Sequence, residues 1–306
     1  MPILVVGSVA FDALQTPFGK VDRCIGGSAT YFSVAASFFT EVALVAVVGD
    51  DFSEADASIF EGRNIDVSGL QRIPGEKTFF WSGEYGYDLN VAKTRDTQLN
   101  VFANFKPELN DSQRNADVLF LANIQPELQL DVLHQQEKRP RIVALDTMNL
   151  WIDIKRDALE RVFREVDLII INEAEVRQFT KEANLIKGAR SILALGPQTL
   201  VIKRGEYGVL MVTKDAVFAA PAYPLENVFD PTGAGDTFAG GFLGYLGSRS
   251  ELTDRELRRA IIFGSVLASF TVEKFSLDRL REITLRDVYE RYQDFRTLTH
   301  FDDHEA

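Results

Sequence analysis

The sequence predicts an α/β fold: a doubly wound, mostly parallel sheet flanked by helices, with a small inserted β-sheet serving as a lid. Three observations carry this expectation. Short apolar runs rich in β-branched residues recur along the chain, as strands buried on both faces require. Stretches with helical patterning separate those runs, which is the signature of βαβ units. Two segments, at about 11–24 and 70–105, break the alternation with short polar/apolar patterns suited to a half-exposed antiparallel sheet.

The first run, 3–6, ends at Gly7 and reads as a central strand. Similar runs at 42–48, 118–122, 142–145, 168–171 and 199–202 supply the rest of the parallel sheet. Helices are expected at 30–39, 125–136, 154–164 and 173–179, joined to the strands by right-handed crossovers. A Gly-rich turn at 233–235 opens a helix over 236–247, and further helices follow at 255–270 and 285–298. The last residues, 302–306, read as a solvated tail. No repeat or low-complexity linker divides the chain, so one domain over 1–306 with an inserted lid is expected.

Of the 306 residues, 46% are hydrophobic and 25% charged, which excludes disordered and collagen-like classes. The net charge of −12 repels a polyanion, so nucleic acid is not expected as a partner. It leaves room for a small phosphate ligand, which backbone N–H groups and one or two cations can hold. Cys24 is the single cysteine, so no internal disulfide forms, and no Cys/His metal cluster is spelled out. The N-terminus lacks a basic leader and its apolar run is too short to span a bilayer, so a cytoplasmic location is expected.

The chemistry is concentrated in Asp230-Pro231-Thr232-Gly233-Ala234-Gly235-Asp236. Thr232 is placed to cap the helix that follows. Two glycines in a first helical turn cost about 1 kcal/mol each against alanine. A ligand whose oxygens touch the backbone gives them a purpose: the N–H groups of Gly233, Ala234 and Gly235 converge on an anion at the positive end of the helix. Asp236, about one turn in, is placed to accept a proton from a hydroxyl attacking a phosphate held there. Thr232 and Asp236 are four residues apart, not the three of a capping box. A dinucleotide fingerprint fails because Phe238 stands at its third glycine, and no Walker A loop is found.

This segment resembles the C-terminal signature of the ribokinase-like (PfkB) family of carbohydrate and nucleoside kinases. Other stretches match in the family's order along nearly the whole chain. Asp12 matches a substrate-binding aspartate, Gly26-Gly27-Ser28-Ala29 the N-terminal double glycine, and Gly49-Asp50 follows the second strand as in the family. Asn172 to Glu175 resembles the N-x-x-E motif, and Lys203, Gly205 and Gly208 the nucleotide-side strand and turn. The segments 27–32 and 96–100 look like a bacterial branch described as sugar or nucleoside kinases.

The resemblance implies an ATP- and Mg²⁺-dependent transfer of the γ-phosphoryl group to an alcohol, with Asp236 as base and 233–235 as anion hole. It implies Asn172 and Glu175 near Mg²⁺ through water, although the same spacing also makes a helix capping box. Lys203, Gly205 and Gly208 fall on the nucleotide side; a strand-end lysine and a plain hairpin turn explain them as well. Asp12, Gly26 and Gly27 fall on the acceptor, and Asn123, ending another core strand, is within reach of the same pocket. A monovalent cation and a homodimer through the lid are further implications. The family often has Asn where this chain has Tyr31, and a phenol cannot copy an amide's paired donor and acceptor. Phe79, Trp81 and Tyr85 alternate along one lid strand, as a stacking platform or as packing of the lid on the core; with Tyr31 they favour a nucleoside-like or other bulky acceptor over a simple ribose or fructose pocket. Two rivals stand beside this expectation: a nicotinamide oxidoreductase, and a non-catalytic nucleoside or sugar sensor on the same fold.

Overall fold

The computed structural model describes residues 2–300; the expected tail at 302–306 lies outside them. In chain order the strands are β1 (Ile3–Val6), β2 (Ala10–Thr16), β3 (Gly19–Gly26), β4 (Val42–Gly49), β5 (Ile65–Ile73), β6 (Phe79–Tyr85), β7 (Ala92–Gln98), β8 (Val118–Leu121), β9 (Ile142–Leu145), β10 (Leu168–Asn172), β11 (Thr199–Lys203), β12 (Val209–Thr213) and β13 (Val217–Ala220). Nine form one sheet in the order β13-β12-β11-β10-β9-β8-β1-β4-β5. From β5 to β11 every neighbouring pair is parallel, and β12 and β13 add an antiparallel edge.

The central strands alternate between two cores, which explains their unbroken apolar runs. In β1, Ile3 and Val5 join a core built with the helices Ser28–Ala36, Ala234–Gly247 and Asp254–Thr271. Leu4 and Val6 join another, with Pro126–His134, Arg156–Glu165 and Glu173–Thr180. Chain order reverses between β1 and β8, so a crevice opens beyond their carboxyl ends, where ligands of such sheets bind.

The other four strands form the small sheet, β3-β2-β6-β7. It is mixed, not purely antiparallel as expected: β2 and β6 run parallel because the chain visits the body between them. Residues 70–73, assigned to the lid from sequence, end β5 at the edge of the large sheet, where β5 pairs with β4. The single helix expected over 154–164 is two, Asn149–Ile154 and Arg156–Glu165, parted at Lys155. None of the helices among the described residues is long and apolar enough to cross a membrane.

Candidate active site

The helix that follows the glycine turn is capped at Gly233, not at Thr232 as expected. Gly233 is the N-cap of Ala234–Gly247 at φ 73°, ψ −1°, a left-handed conformation that costs other residues about 1–2 kcal/mol. A Cβ at Gly233 would also stand 2.4 Å from the ring of Tyr31. Thr232 therefore gives no side-chain cap; its hydroxyl donates to Tyr85 Oη on β6, 3.1 Å away, tying the small sheet to the turn. Gly233, Ala234 and Gly235 keep part of their surface open at the helix start, where N–H groups without an intrahelical partner gather; the Ala234 N–H donates to Pro231 O at 3.2 Å.

Asp236 is the third residue of this helix and is half-buried. Burial pushes its carboxyl up to about 7; Asp146 adds to the rise and Lys203 opposes it. Lys203, at the end of β11, turns inward rather than snorkelling: Nζ donates to Asp146 Oδ2 at 2.8 Å. The same Nζ lies 3.0 Å from where a Cβ on Gly235 would be, so the ammonium sits against the anion turn. Burial works against its charge, but Asp146, Glu175 and Asp236 outweigh burial and raise its pKa. Asp146, just after β9, was missed from sequence; burial raises its pKa, with Lys203 pulling the other way. The available signal was an acid directly following a buried apolar run.

Asn172 and Glu175 do form a capping box. Asn172 Oδ1 accepts from the Glu175 N–H and Glu175 Oε2 from the Asn172 N–H, both at 2.8 Å. That leaves Glu175 Oε1 outside the box. Glu175 is buried, and its carboxyl is pushed up to about 7 by desolvation and then by Asp146, with Asp236 adding to the rise and Lys203 opposing it. Three carboxylates thus share one lysine. Among the described residues no group of three or more His, Cys, Asp or Glu side chains is arranged to hold a metal directly. A divalent cation fits here only through water and the oxygens of a bound phosphate chain.

Asp12, in β2, is 4% exposed. Its carboxyl is pushed up to about 8, first by burial and then by Asp230 and Asp236. A Cβ on Gly26 would fall 1.9 Å from Asp12 Oδ2, so the carboxylate occupies the space a side chain there would fill. Gly27 is the N-cap of Ser28–Ala36 at φ 97°. Asp230, also without an assigned role in the sequence, accepts from the backbone N–H of Thr232 and Ser276, each at 2.9 Å.

Other expected residues are placed differently. Asn123 Oδ1 accepts from Trp151 Nε1 at 2.9 Å, so that group is engaged with the helix Asn149–Ile154. Tyr31 is 1% exposed beneath Gly233, and its hydroxyl has no hydrogen-bond partner among the described residues. It packs under the turn and offers no ring for an acceptor to stack on. Phe79 stacks on Phe102, which stacks on Phe105, whereas Tyr85 meets Thr232 at the glycine turn and Trp81 is half-buried. Gly205 and Gly208 form the turn between β11 and β12, where Arg204 N–H donates to Gly208 O at 2.8 Å. A Cβ on Gly205 would stand 2.1 Å from Asn90 Oδ1, so the β6–β7 loop reaches this turn.

The pfkB family carbohydrate kinase model matches residues 4–282. A cytidine kinase of Thermococcus kodakarensis is 31% identical over 248 residues, covering 79% of this chain and 87% of the relative. A nucleoside kinase of Methanothermobacter thermautotrophicus is 24% identical over 301 residues, covering 89% of each. The crystal structure of Methanocaldococcus jannaschii nucleoside kinase, an archaeal member of the ribokinase family, superposes with a TM-score of 0.78 at 20% identity, over 96% of this chain and 99% of that one. A buried carboxylate at a glycine-opened helix start, on this fold and under this family match, leads to one conclusion: the chain belongs to the pfkB family of carbohydrate kinases, phosphotransferases that act on a hydroxyl group.

Proposed function

We propose that this protein transfers the γ-phosphoryl group of ATP to a hydroxyl of a nucleoside. The observation that carries the chemistry is Asp236, held by burial near a pKa of 7 beside Lys203 and the open 233–235 turn. At that pKa it accepts the acceptor's proton at neutral pH and releases it after transfer. The oxygen then attacks phosphorus in line. The N–H groups of Gly233, Ala234 and Gly235 and the Lys203 ammonium stabilise the charge that spreads over the phosphoryl oxygens. Mg²⁺, bound with the nucleotide, would supply further positive charge; Asn172 and Glu175 would hold it through water. Gly205 and Gly208 would let the backbone approach the nucleotide. Asp12, over Gly26 and beside Gly27, would orient the acceptor's hydroxyls, with the free amide nitrogen of Asn123 as a further donor.

The nucleoside preference rests on Tyr31, which removes the amide expected of a simple sugar pocket, and on relatives named cytidine kinase and nucleoside kinase. The small sheet would act as the lid, with the Thr232–Tyr85 contact as its latch. The fully exposed edge strand β7 would serve pairing with a second copy. A monovalent-cation requirement and a cytoplasmic location belong to the same proposal; potassium titration, sedimentation and cell fractionation check these three. The central test is ADP release over a panel of nucleosides and sugars, with Asp236→Asn as control. The variant should lose on the order of 10²–10⁴ in kcat; turnover equal to the parent's would end the assignment of the base.

A further inference from the structure

We propose that Trp81 is the platform on which the planar ring of the acceptor stacks, and hence the residue that separates nucleosides from free sugars. This rests on the nucleoside reading above and adds to it a specific side chain.

Strand register puts Trp81 in the site. In the parallel β2–β6 pair Asp12 lies opposite Trp81 and Leu14 opposite Gly83. Paired residues share a face, and so do alternate residues along a strand. Asp12, Trp81, Gly83 and Tyr85 therefore line the same face of the small sheet. That face meets the anion turn: Tyr85 accepts from Thr232, and Asp12 feels the charges of Asp230 and Asp236. Trp81 is thus flanked by the carboxylate proposed to hold the acceptor's hydroxyls and by the tyrosine that touches the turn.

The indole is held flat. A Cβ on Gly83 would fall 2.0 Å from Trp81 Cη2, so the ring lies directly over the glycine. The β6–β7 register shifts between Ser82 and Gly83, bringing Thr94 opposite Gly83. Thr94 Oγ1 accepts from Trp81 Nε1 at 3.2 Å, fixing the ring's polar edge. One ring face is covered by backbone while the residue as a whole is only half-buried. The neighbouring Phe79 and Phe80 are used by the body instead, against Phe102 and the core of the Ser28–Ala36 side. A rigid, half-buried indole, next to the carboxyl proposed to hold the acceptor's hydroxyls, suits a ligand with hydroxyls at one end and a flat π-system at the other.

Steady-state kinetics with cytidine, adenosine and ribose, together with tryptophan fluorescence, test this. Trp81→Ala should raise nucleoside KM by on the order of tenfold to a hundredfold, the usual range for loss of base stacking. Its kcat should stay within about threefold, and any ribose turnover should keep the parent's KM, because the platform adds uniform binding to the ring alone. Gly83→Ala keeps the indole but lifts it off the strand, and should raise nucleoside KM in the same direction. Nucleoside without ATP should quench emission in the parent and in Trp151→Phe, but not in Trp81→Phe. Unchanged nucleoside KM in both Trp81→Ala and Gly83→Ala, in a parent that phosphorylates nucleosides, overturns the platform alone. A parent that phosphorylates ribose and no nucleoside overturns the acceptor reading; absence of quenching at Trp81 then ends the platform as well.

Discussion

Replacing Lys203 by methionine keeps most of the side chain's volume and removes the one positive charge shared by Asp146, Glu175 and Asp236. An opposite charge close to a carboxylate holds its pKa down by about 1–3 units. Losing that attraction should raise the pKa of Asp236 by on the order of 1.5 units. Burial already pushes that carboxyl up to about 7 in the parent, so a further rise of this size leaves on the order of tenfold less ionised base at neutral pH. Raising the pH should recover that part of the loss, because the base ionises again. What remains at high pH measures the direct work of the ammonium on the phosphoryl oxygens. The assay is kcat/KM for ADP release from about pH 5.5 to about 10, which reports the free enzyme's ionisations. An acidic limb that stays where the parent's lies would refute the electrostatic coupling, whatever happens to the plateau. Melting temperature, followed in parallel, separates a folding defect: breaking a buried pair on one side costs about 3–5 kcal/mol.

Three further outcomes are expected. Gly26→Ala places a methyl group where Asp12 Oδ2 lies; displacing a carboxyl that hydrogen-bonds the acceptor should raise acceptor KM by on the order of ten- to a hundredfold with KM for ATP unchanged. Tyr31→Phe deletes a buried hydroxyl with no partner among the described residues, so its melting temperature should hold or rise, by up to about 1 kcal/mol in stability, with acceptor KM unaltered; a large KM rise would put the phenol in the acceptor pocket. The unliganded protein should lose stability as pH rises from about 4 toward about 8. Asp12, Glu175 and Asp236 have folded pKa values raised to about 8, 7 and 7, from ordinary values of 3.8, 4.5 and 3.8. Over that window the folded chain holds more protons than the unfolded one, so the slope of stability with pH is negative. Thermal melts at constant ionic strength check it, and a rising melting temperature across the window would refute it.

The parallel sheet was legible because its strands are buried on both faces and so read as unbroken apolar runs. The Gly233–Asp236 turn was legible because glycines at a helix start need an external reason. Cap identity was not: Thr232 is a good N-cap by type, but the left-handed Gly233 takes that position and releases the threonine hydroxyl to Tyr85. Asp146 escaped because a single acid after a strand has no spacing to mark it; only the fold brings it to Lys203, 57 residues away. Which of the alternating rings packs on the core was not legible, because alternation along a strand says which residues share a face but not what covers it. The body covers Phe79 through Phe102, and leaves Trp81 half-open.

On the proposed function, the bond between Thr232 and Tyr85 joins a part that would handle any phosphoryl acceptor to a part that would choose one. Grafting another relative's small sheet onto this body could therefore change substrate choice while the transfer machinery stays intact. A graft lacking a hydroxyl at position 85 would arrive without its clasp, and should leak ATP to water even where the new acceptor fits.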